Sequence, residues 1–220
     1  MKQRKCRIKA PGCEVTYTPF NSLQKCCYNP KCILENKRLQ DDKKKQRLLK
    51  KERKKQAQAK KDFRLKDKKW QLKRTQEAFN KLRRLQELKL CKDQGKEPQC
   101  ISCGNTSTKP GYFCCGHFKT VGGHPELRFD EINTELQCNR YCNMGKSGNI
   151  NGCKHTHGYI QGILLKYGGE EGQKRLDYLN SPHDPKHYTC EELESMRKEF
   201  NKQIRDIEKD LENEQNEESL

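Results

Sequence analysis

The chain has 220 residues, of which 31% are hydrophobic and 35% are charged, and it carries a formal net charge of +17. This amount of apolar material cannot form one large core, so we expect small folded modules joined by solvated helix. The charge exceeds what solubility requires and favours a polyanionic partner, above all nucleic acid.

The 14 cysteines indicate bound metal more than disulfides. The N-terminal residues contain no apolar segment typical of a signal peptide, and no run of 18 apolar residues occurs that could span a membrane. We therefore expect a reducing compartment and no membrane partner. In such a compartment paired cysteines are more often zinc ligands than disulfides.

Residues 1–34 form the first predicted module, a zinc knuckle. Zinc prefers four soft ligands, and two short-spaced pairs supply them here: Cys6, Cys13, Cys27 and Cys32. A module of this size has little core and would need the metal in order to fold. Two alternatives stay open, because Cys26 can take the place of Cys27 and the cysteines can also be free thiols.

Residues 35–97 are predicted to form a long Lys/Arg-rich helix. No Pro or Gly occurs between Pro30 and Gly95, and residues 35–90 contain 23 Lys/Arg against 8 Asp/Glu. Nearly all of the excess charge of the chain therefore lies in this segment. We expect Lys50 and Lys54 to contact DNA phosphates, and the alternative is a solvated linker helix.

The second half of this segment carries an apolar stripe. Spacings of three and seven residues place several side chains on one helical face: Phe63, Trp70, Phe79, Leu82, Leu85 and Leu88. We expect the stripe to pack on a neighbouring module or on a second copy of the chain. A homodimer would make its contact here.

Residues 98–180 form the third predicted module, which contains a second set of four cysteines. Two pairs of short spacing are typical of a structural zinc site: Cys100, Cys103, Cys138 and Cys142. If these four saturate a zinc ion, Cys114 and Cys115 are small buried apolar residues and His117 is free for chemistry. A competing ligand set would draw on His124, Cys153, His155 and His157.

Residues 181–220 are predicted to form an amphipathic helix with an acidic tail. Thr189 and Glu192 have the spacing of a capping box. Apolar residues then recur every three or four positions from Leu193 to Leu211. We expect the acidic end to fray or to contact a partner.

Two short strands and a helix are expected around the second cysteine set. The first strand would carry His117, Asn133 would lie in the connection before Cys138, and a helix starting near Cys142 would carry Asn143. This order resembles the HNH, or ββα-metal, nuclease fold, in which cysteine pairs flank the motif and bind a structural zinc. We therefore predict an α+β fold that is predominantly helical.

The chain resembles more closely the NinG/Rap recombination proteins of lambdoid bacteriophages. The matching residues are CISCG at 100–104, GHF at 116–118, LRF at 127–129, Asn133, QC at 137–138 and KSGN at 146–149. The cysteine-rich start, the basic helix and the C-terminal helix occur in the same order. The resemblance implies a structure-specific endonuclease acting on branched DNA, such as Holliday junctions and D-loops, in the cytoplasm of an infected or lysogenic bacterium.

The resemblance also implies roles for single residues. His117 matches the general base, since an imidazole can deprotonate water near neutral pH. Asn133 matches the residue that holds the loop and orients the histidine, and Asn143 matches a ligand of a catalytic Mg²⁺ or Mn²⁺. Many HNH enzymes have an aspartate directly before the histidine. Here Gly116 stands at that position, and Asp130 is the nearest other candidate for the first ligand.

Each of these roles has a structural alternative. His117 can be a core residue bonded to backbone, Asn133 a turn residue and Asn143 a helix cap. Phosphate contacts near the motif are expected from Lys119, Arg128 and Lys146.

Three further hypotheses concern function and assembly. A non-catalytic, zinc-dependent DNA-binding accessory protein of recombination would explain the charge and all eight cysteine ligands. An RNA-binding zinc-ribbon protein fits the charge equally well and the hairpin motif poorly. Resolving a four-way junction takes two cuts related by symmetry, so an endonuclease of this kind is expected to act as a homodimer.

Overall fold

A computed structural model describes residues 2–8, 10–11, 13–145 and 149–217, with the side chains of residues 215–217 excepted. The chain divides into two compact units, residues 1–63 and 64–220. This division is coarser than the four segments that the sequence predicts. Lys146, one of the predicted phosphate contacts, lies outside the described residues.

The first unit contains a small two-stranded sheet and the start of a long helix. Strand β1 (Arg4–Lys5) pairs antiparallel with strand β2 (Thr16–Tyr17). Helix α1 (Pro30–Lys66) begins directly after Asn29, whose side-chain oxygen accepts from the N–H of Lys31 at 2.9 Å. Cys32 is the buried residue of α1 among those described, so the rest of this helix is exposed or half-buried, and its apolar residues, such as Leu48 and Leu49, face solvent.

The predicted long basic helix is divided in two at Asp67. Helix α1 ends at Lys66 and helix α2 runs over Lys68–Asp93, with Asp67 between them in an extended conformation. The Asp67 carboxylate accepts from the N–H of Trp70 at 3.1 Å and so caps α2. A short acidic side chain competes with the helical bonding pattern of its own backbone, which is the physical reason for the break.

The second unit is built around a β-hairpin. Strand β3 (Phe113–His117) pairs antiparallel with strand β4 (Thr134–Cys138), and the register joins Phe113 to Cys138 and His117 to Thr134. Helices α3 (Gly158–Tyr167) and α4 (Gly169–Asn180) pack on each other. Tyr159 of α3 is fully buried and donates to the Gly116 carbonyl at 3.0 Å, which attaches α3 to the hairpin.

The apolar stripe of α2 packs within the chain. Helix α5 (Cys190–Glu217) lies against α2, and Phe79 and Leu82 are each only 1% exposed. The Phe79 ring lies 5.5 Å from that of Phe200 and 5.7 Å from that of Phe129, between centroids. The stripe was predicted to pack either on a neighbouring module or on a second copy of the chain. The structure shows it packed on a neighbouring element of the same chain. Phe63, at the start of the stripe, is 71% exposed and takes no part.

Helix α5 begins as the capping box predicts. The Thr189 hydroxyl accepts from the N–H of Glu192 at 3.1 Å, and the Glu192 carboxylate accepts from the N–H of Thr189 at 2.7 Å. Leu193 and Ile204 then face inward and are almost fully buried.

The architecture is a mixture of helices and two small sheets, and helix predominates as expected. In the described part of the chain, no helix has the length and apolar character needed to cross a membrane.

Candidate functional site

The first cysteine cluster lies in the core of the first unit. Its four sulfur atoms all lie within 4.8 Å of one another and come from buried residues: Cys6, Cys13, Cys27 and Cys32. The Sγ atoms of Cys13 and Cys27 are 3.5 Å apart. Cys26 is also buried but does not belong to the group, so the structure selects Cys27 from the two alternatives.

The second cysteine cluster lies at one end of the hairpin. It unites a knuckle before β3 with the end of β4 and the turn after it, again with all sulfur atoms within 4.8 Å: Cys100, Cys103, Cys138 and Cys142. The Sγ of Cys100 accepts from the N–H of Cys138 at 3.2 Å, and the Sγ of Cys138 accepts from the N–H of Cys142 at 3.4 Å. Such N–H bonds stabilise thiolates.

Both clusters fit a structural zinc ion. Four sulfurs at 2.3 Å from a tetrahedral zinc lie about 3.8 Å from each other. The separations in the protein, 3.5 Å between Cys13 and Cys27 and 4.0 Å between Cys103 and Cys138, bracket that value. All 14 cysteines are free of disulfides, which leaves the thiolates available to metal. The structure thus supports the two sites that the spacing predicts.

Three members of the competing ligand set make other contacts, and the fourth, His155, is exposed. The Cys153 sulfur lies 3.3 Å from the Thr156 hydroxyl, and His157 Nε2 lies 2.9 Å from the Ile101 carbonyl. His124 bonds to the Glu126 carboxylate at 3.0 Å. Cys115 is buried, as predicted for a small apolar residue. The same prediction is wrong for Cys114, which is half-buried and donates from Sγ to the Gln137 carbonyl at 3.3 Å.

His117 lies at the opposite end of the hairpin from the second cysteine cluster. Four residues of strand, or about 13 Å, separate the two ends. Helix α2 packs over the imidazole: Gln76 Nε2 is 3.4 Å from His117 Nε2, and the Phe79 ring centroid is 6.4 Å from the imidazole centroid. Burial lowers the pKa of His117 to about 4, so the ring is neutral at pH 7.

Asn133 is fully buried and ties together the two ends of the loop between the strands. Its Oδ1 accepts from the N–H of Lys119 at 2.7 Å. Its Nδ2 donates to the carbonyl of Lys119 at 3.0 Å and to that of Leu127 at 3.1 Å. All of its bonds in the structure therefore go to backbone, and they fix the chain that leaves β3 directly after His117.

Asn143 is placed apart from His117. The expected helix after the second cysteine pair is a single π-helical turn, Asn139–Asn143, held at the end of β4 that carries the cysteine cluster. Asn143 is exposed there, while His117 occupies the other end of the hairpin. The predicted helix is therefore confirmed only as this one turn, and the next α-helix that the structure describes begins at Gly158. The N–H of Cys142 donates to the Sγ of Cys138 at 3.4 Å, which holds the chain in this tight turn.

Gly116 has a steric reason to be glycine. A Cβ atom at this position would lie 2.5 Å from Gln137 Oε1 and 2.7 Å from Gln137 Cβ. An aspartate therefore does not fit here without displacement of β4. Asp130 is engaged elsewhere, since its carboxylate accepts from the N–H of Ile132 at 2.8 Å and from the Tyr178 hydroxyl at 2.6 Å.

A catalytic divalent cation finds no ligand set at His117. Among the described residues, only the two cysteine clusters bring three or more His, Cys, Asp or Glu side chains close enough to hold a metal. His117 belongs to neither, and its neighbours include Gln76, Phe79 and Arg128, whose backbone is hydrogen-bonded to the imidazole. The residues present do not fit a protein-bound Mg²⁺ or Mn²⁺ at this position.

Comparison with known proteins now assigns the family. The family model described as "Bacteriophage Lambda NinG protein" matches residues 1–212. The chain belongs to the NinG family. It is 30% identical over 213 residues to "Protein ninG" of Escherichia phage 933W, with 93% of this chain and 94% of that protein covered. It is 28% identical over 143 residues to "Protein ninG" of Escherichia phage lambda, with 65% and 60% covered. No solved structure matches the chain significantly.

The basic side chains of this NinG-family chain that are predicted to contact DNA phosphates differ in how accessible they are to solvent. Lys50 and Lys54 are exposed on α1. Lys119 reaches Asn180 Oδ1 at 2.7 Å, and its ammonium lies 5.4 Å from the Phe118 ring centroid. Arg128 is half-buried and donates to the Val121 carbonyl at 3.3 Å. The two α1 lysines are thus the most accessible members of the described set.

Sequence reasoning missed a buried ionic cluster beside the hairpin. Lys166 of α3 binds two buried carboxylates, Glu87 of α2 at 2.6 Å and Glu135 of β4 at 2.5 Å. The Tyr167 hydroxyl also donates to Glu135, whose pKa is raised by burial. These residues are far apart in the sequence, and none of them belongs to a recognisable motif. They join three elements around the strand that precedes the cysteine cluster.

Proposed function

We propose that this NinG-family chain is a structure-specific endonuclease that cleaves branched recombination intermediates of phage DNA, such as Holliday junctions and D-loops. The observation that carries the proposal is the hairpin. It has a zinc-type cysteine cluster at one end. At the other end a neutral histidine stands next to a loop tied by a buried asparagine. The family resemblance implies nuclease roles for His117 and Asn133, and the two residues lie in this one hairpin.

The proposed chemistry is hydrolysis of a phosphodiester bond. A water oxygen attacks the phosphorus atom, and His117 accepts the proton of the attacking water. The bond from phosphorus to the 3′ oxygen breaks, and the leaving 3′ oxygen keeps the electron pair and takes up a proton from solvent. A neutral imidazole can accept that proton, whereas an imidazolium cannot. With a pKa of about 4, however, His117 is a weak base in the closed arrangement under α2. An effective base requires that Gln76 and Phe79 move away from the ring and expose it to solvent.

We propose that the reaction requires a divalent cation, although no set of protein ligands is assigned to it. Magnesium commonly keeps several waters and binds substrate phosphates with only one or two protein ligands. Since His117 belongs to no group of three or more possible metal ligands among the described residues, we assign no residue to this ion and no step of the reaction to it. This is the part of the proposal in which the chain departs furthest from the HNH pattern.

DNA affinity is proposed to come mainly from the basic segment. Residues 35–90 hold most of the excess positive charge, and Lys50 and Lys54 point into solvent on α1. Contacts of lysine and arginine with phosphates release counterions, so binding falls steeply as salt increases and does not depend on base sequence. Selectivity would then come from the shape of the junction.

The decisive experiment is a nuclease assay on an end-labelled four-way junction and on linear duplex of the same sequence. The zinc-loaded protein is incubated with Mg²⁺, with Mn²⁺ and with neither. His117→Ala is the test variant, and His155→Ala is the matched control, because His155 is an exposed histidine of the same unit. Zinc content is measured for each preparation, since loss of zinc would unfold the unit instead of disabling the site.

The expected result is metal-dependent cutting near the branch by the wild type and by His155→Ala, and a loss of about 100-fold or more in His117→Ala, as is typical for removal of a general base. Equal cutting by both variants would remove His117 from the mechanism. Tight junction binding with no cutting under any condition would refute the endonuclease.

A non-catalytic DNA-binding accessory protein is the second candidate, and one observation favours it. Helix α2 places Gln76 and Phe79 against His117, and no metal-binding set includes this histidine among the described residues. In that case His117 and Asn133 stabilise the hairpin, and both histidine variants bind the junction as the wild type does without cutting it.

A homodimer remains part of the endonuclease proposal, because two symmetric cuts resolve a junction. Its contact surface cannot be centred on Phe79 and Leu82, which are buried against α5 and the hairpin. The test is light scattering of the protein alone and bound to a junction, where a dimer doubles the protein mass in the complex.

A further inference from the structure

The first unit presents an unusual apolar loop to solvent. Phe20 is 82% exposed and Leu23 is 81% exposed, the two highest values among the large apolar side chains that the structure describes. Tyr28, 62% exposed, lies close to the same loop. Large apolar side chains in a unit with little core are normally buried. Their exposure here therefore indicates a surface that binds a ligand or a partner.

The loop is held in shape by its own polar side chains. The Gln24 side-chain oxygen accepts from the N–H of Phe20 at 2.7 Å, and the Asn21 side-chain oxygen accepts from the N–H of Leu23 at 3.0 Å. The N–H of Gln24 also donates to the Asn21 carbonyl at 3.3 Å. The two exposed side chains therefore leave from backbone that is hydrogen-bonded at each of their positions.

Two tyrosines fix the loop to the rest of the unit. The Tyr17 hydroxyl donates to the Gln24 carbonyl at 3.0 Å, and the Tyr28 hydroxyl donates to the Thr18 carbonyl at 3.3 Å. The two tyrosine rings pack edge to face with centroids 6.2 Å apart. Because Tyr17 is buried beside the cysteine cluster, the geometry of the loop depends on the folded metal module.

The surroundings of the loop are basic. Residues 1–34 contain seven Lys/Arg and a single acidic residue, Glu14. Arg4 reaches the loop directly, with Nη1 donating to the Ser22 carbonyl at 3.0 Å, and Lys25 follows the loop in an exposed position. An apolar protrusion with a cationic rim complements a ligand that has flat apolar faces bordered by negative charge. Nucleic-acid bases and their phosphates have this character.

We propose that Phe20 and Leu23 form a wedge that inserts against unstacked bases at the branch point of DNA. The proposal rests on the proposed function, and it adds to it the element that distinguishes a branch from continuous duplex. In a duplex both faces of each base are covered by stacked neighbours, so the wedge cannot contact them. At a branch point, unstacking a base costs less free energy, and one of its faces becomes accessible. Apolar side chains on a rigid support are used in this way by proteins that unstack DNA. Arg4 and Lys25 would meet the flanking phosphates.

The experiment uses fluorescence of 2-aminopurine, which increases when the base is unstacked. The probe is placed at the branch of a four-way junction or in the centre of a duplex, and the full-length, zinc-loaded protein is titrated in without Mg²⁺ or Mn²⁺. The test variant is Phe20→Ala/Leu23→Ala. The matched control is Phe63→Ala, because Phe63 is another strongly exposed phenylalanine, 71% accessible, in the same unit.

The expected result is a rise in fluorescence at the branch for the wild type and Phe63→Ala, and none in the duplex. The double variant should give no rise and bind the junction about tenfold more weakly, in the range found for loss of base stacking, while duplex binding stays the same. Junction binding and fluorescence equal to the wild type would overturn the wedge and leave the nuclease proposal intact.

Two other outcomes would also overturn it. If the wild type binds neither junction nor duplex, the wedge and the proposed function both fail. If the double variant binds the junction normally but loses self-association in light scattering, the loop is a protein-contact surface.

Discussion

Replacement of Asn133 tests how strongly the loop after His117 depends on one side chain. Asn133→Ala removes three hydrogen bonds, to the N–H and carbonyl of Lys119 and to the carbonyl of Leu127. Because Asn133 is fully buried, water cannot replace those bonds without entering the core. The Leu127 carbonyl keeps a second partner, the N–H of Asp130 at 3.2 Å, so the loss there is smaller.

The expected destabilisation is about 3–5 kcal/mol, since each buried polar group left without a partner costs about 1–3 kcal/mol. That is a large fraction of the stability of an ordinary domain. Asn133→Asp has the same shape and keeps the acceptor for Lys119. It replaces the donor by an oxygen that faces two carbonyls, so the carboxylate favours its protonated form and its folded-state pKa is raised. Its destabilisation is therefore expected to grow as the pH rises.

Urea unfolding followed by Trp70 fluorescence measures this change, because the single tryptophan lies in the same unit as Asn133. Zinc is kept saturating, and Asn201→Ala, an exposed asparagine on α5, serves as the control with an expected change within about 0.5 kcal/mol. If Asn133→Ala lowers the free energy of unfolding by less than about 1 kcal/mol with an unchanged slope, the loop does not depend on these bonds and the reasoning is wrong.

Three further predictions concern the ionic cluster, the histidine and the metal. Lys166→Met leaves Glu87 and Glu135 buried without their cation and should destabilise the unit by about 3–5 kcal/mol at pH 7. The loss should be smaller at lower pH, because burial raises the pKa of Glu135 and protonation removes its unpaired buried charge. Urea unfolding at two pH values checks this, and an equal loss at both pH values would contradict it. With a pKa of about 4, His117 should remain neutral at pH 5.5 in an NMR titration, whereas an ordinary histidine would be about 90% protonated there; a protonated His117 would show that α2 does not cover the ring. Denaturation in the presence of a colorimetric chelator should release two zinc ions per wild-type chain, in keeping with its two cysteine clusters. The Cys138→Ser variant should release one zinc ion per chain. Release of two zinc ions from the variant would mean that Cys138 is not an essential ligand.

The local features of the site could be predicted from the sequence because short-range chemistry determines them. Cysteine pairs at short spacing converge on a metal wherever the turns between them close, and both predicted sets do converge. Thr189 and Glu192 are three residues apart, so their capping box requires nothing beyond the first turn of the helix. The helix break at Asp67 is also a local effect. It was not predicted, because the surrounding segment consists of helix-forming residues and a single aspartate does not normally end a helix.

The sequence by itself determined the two zinc-type clusters, the hairpin that carries His117 and Asn133, the basic helix and the NinG family. Only the tertiary structure decided what surrounds them. It placed Gln76 and Phe79 over His117, paired Lys166 with Glu87 and Glu135, and separated Asn143 from the histidine along the hairpin. The physical reason is distance along the chain. The bond from Thr75 to the Leu193 carbonyl, for example, joins residues 118 positions apart. Such contacts depend on how the helices pack, which no local spacing records.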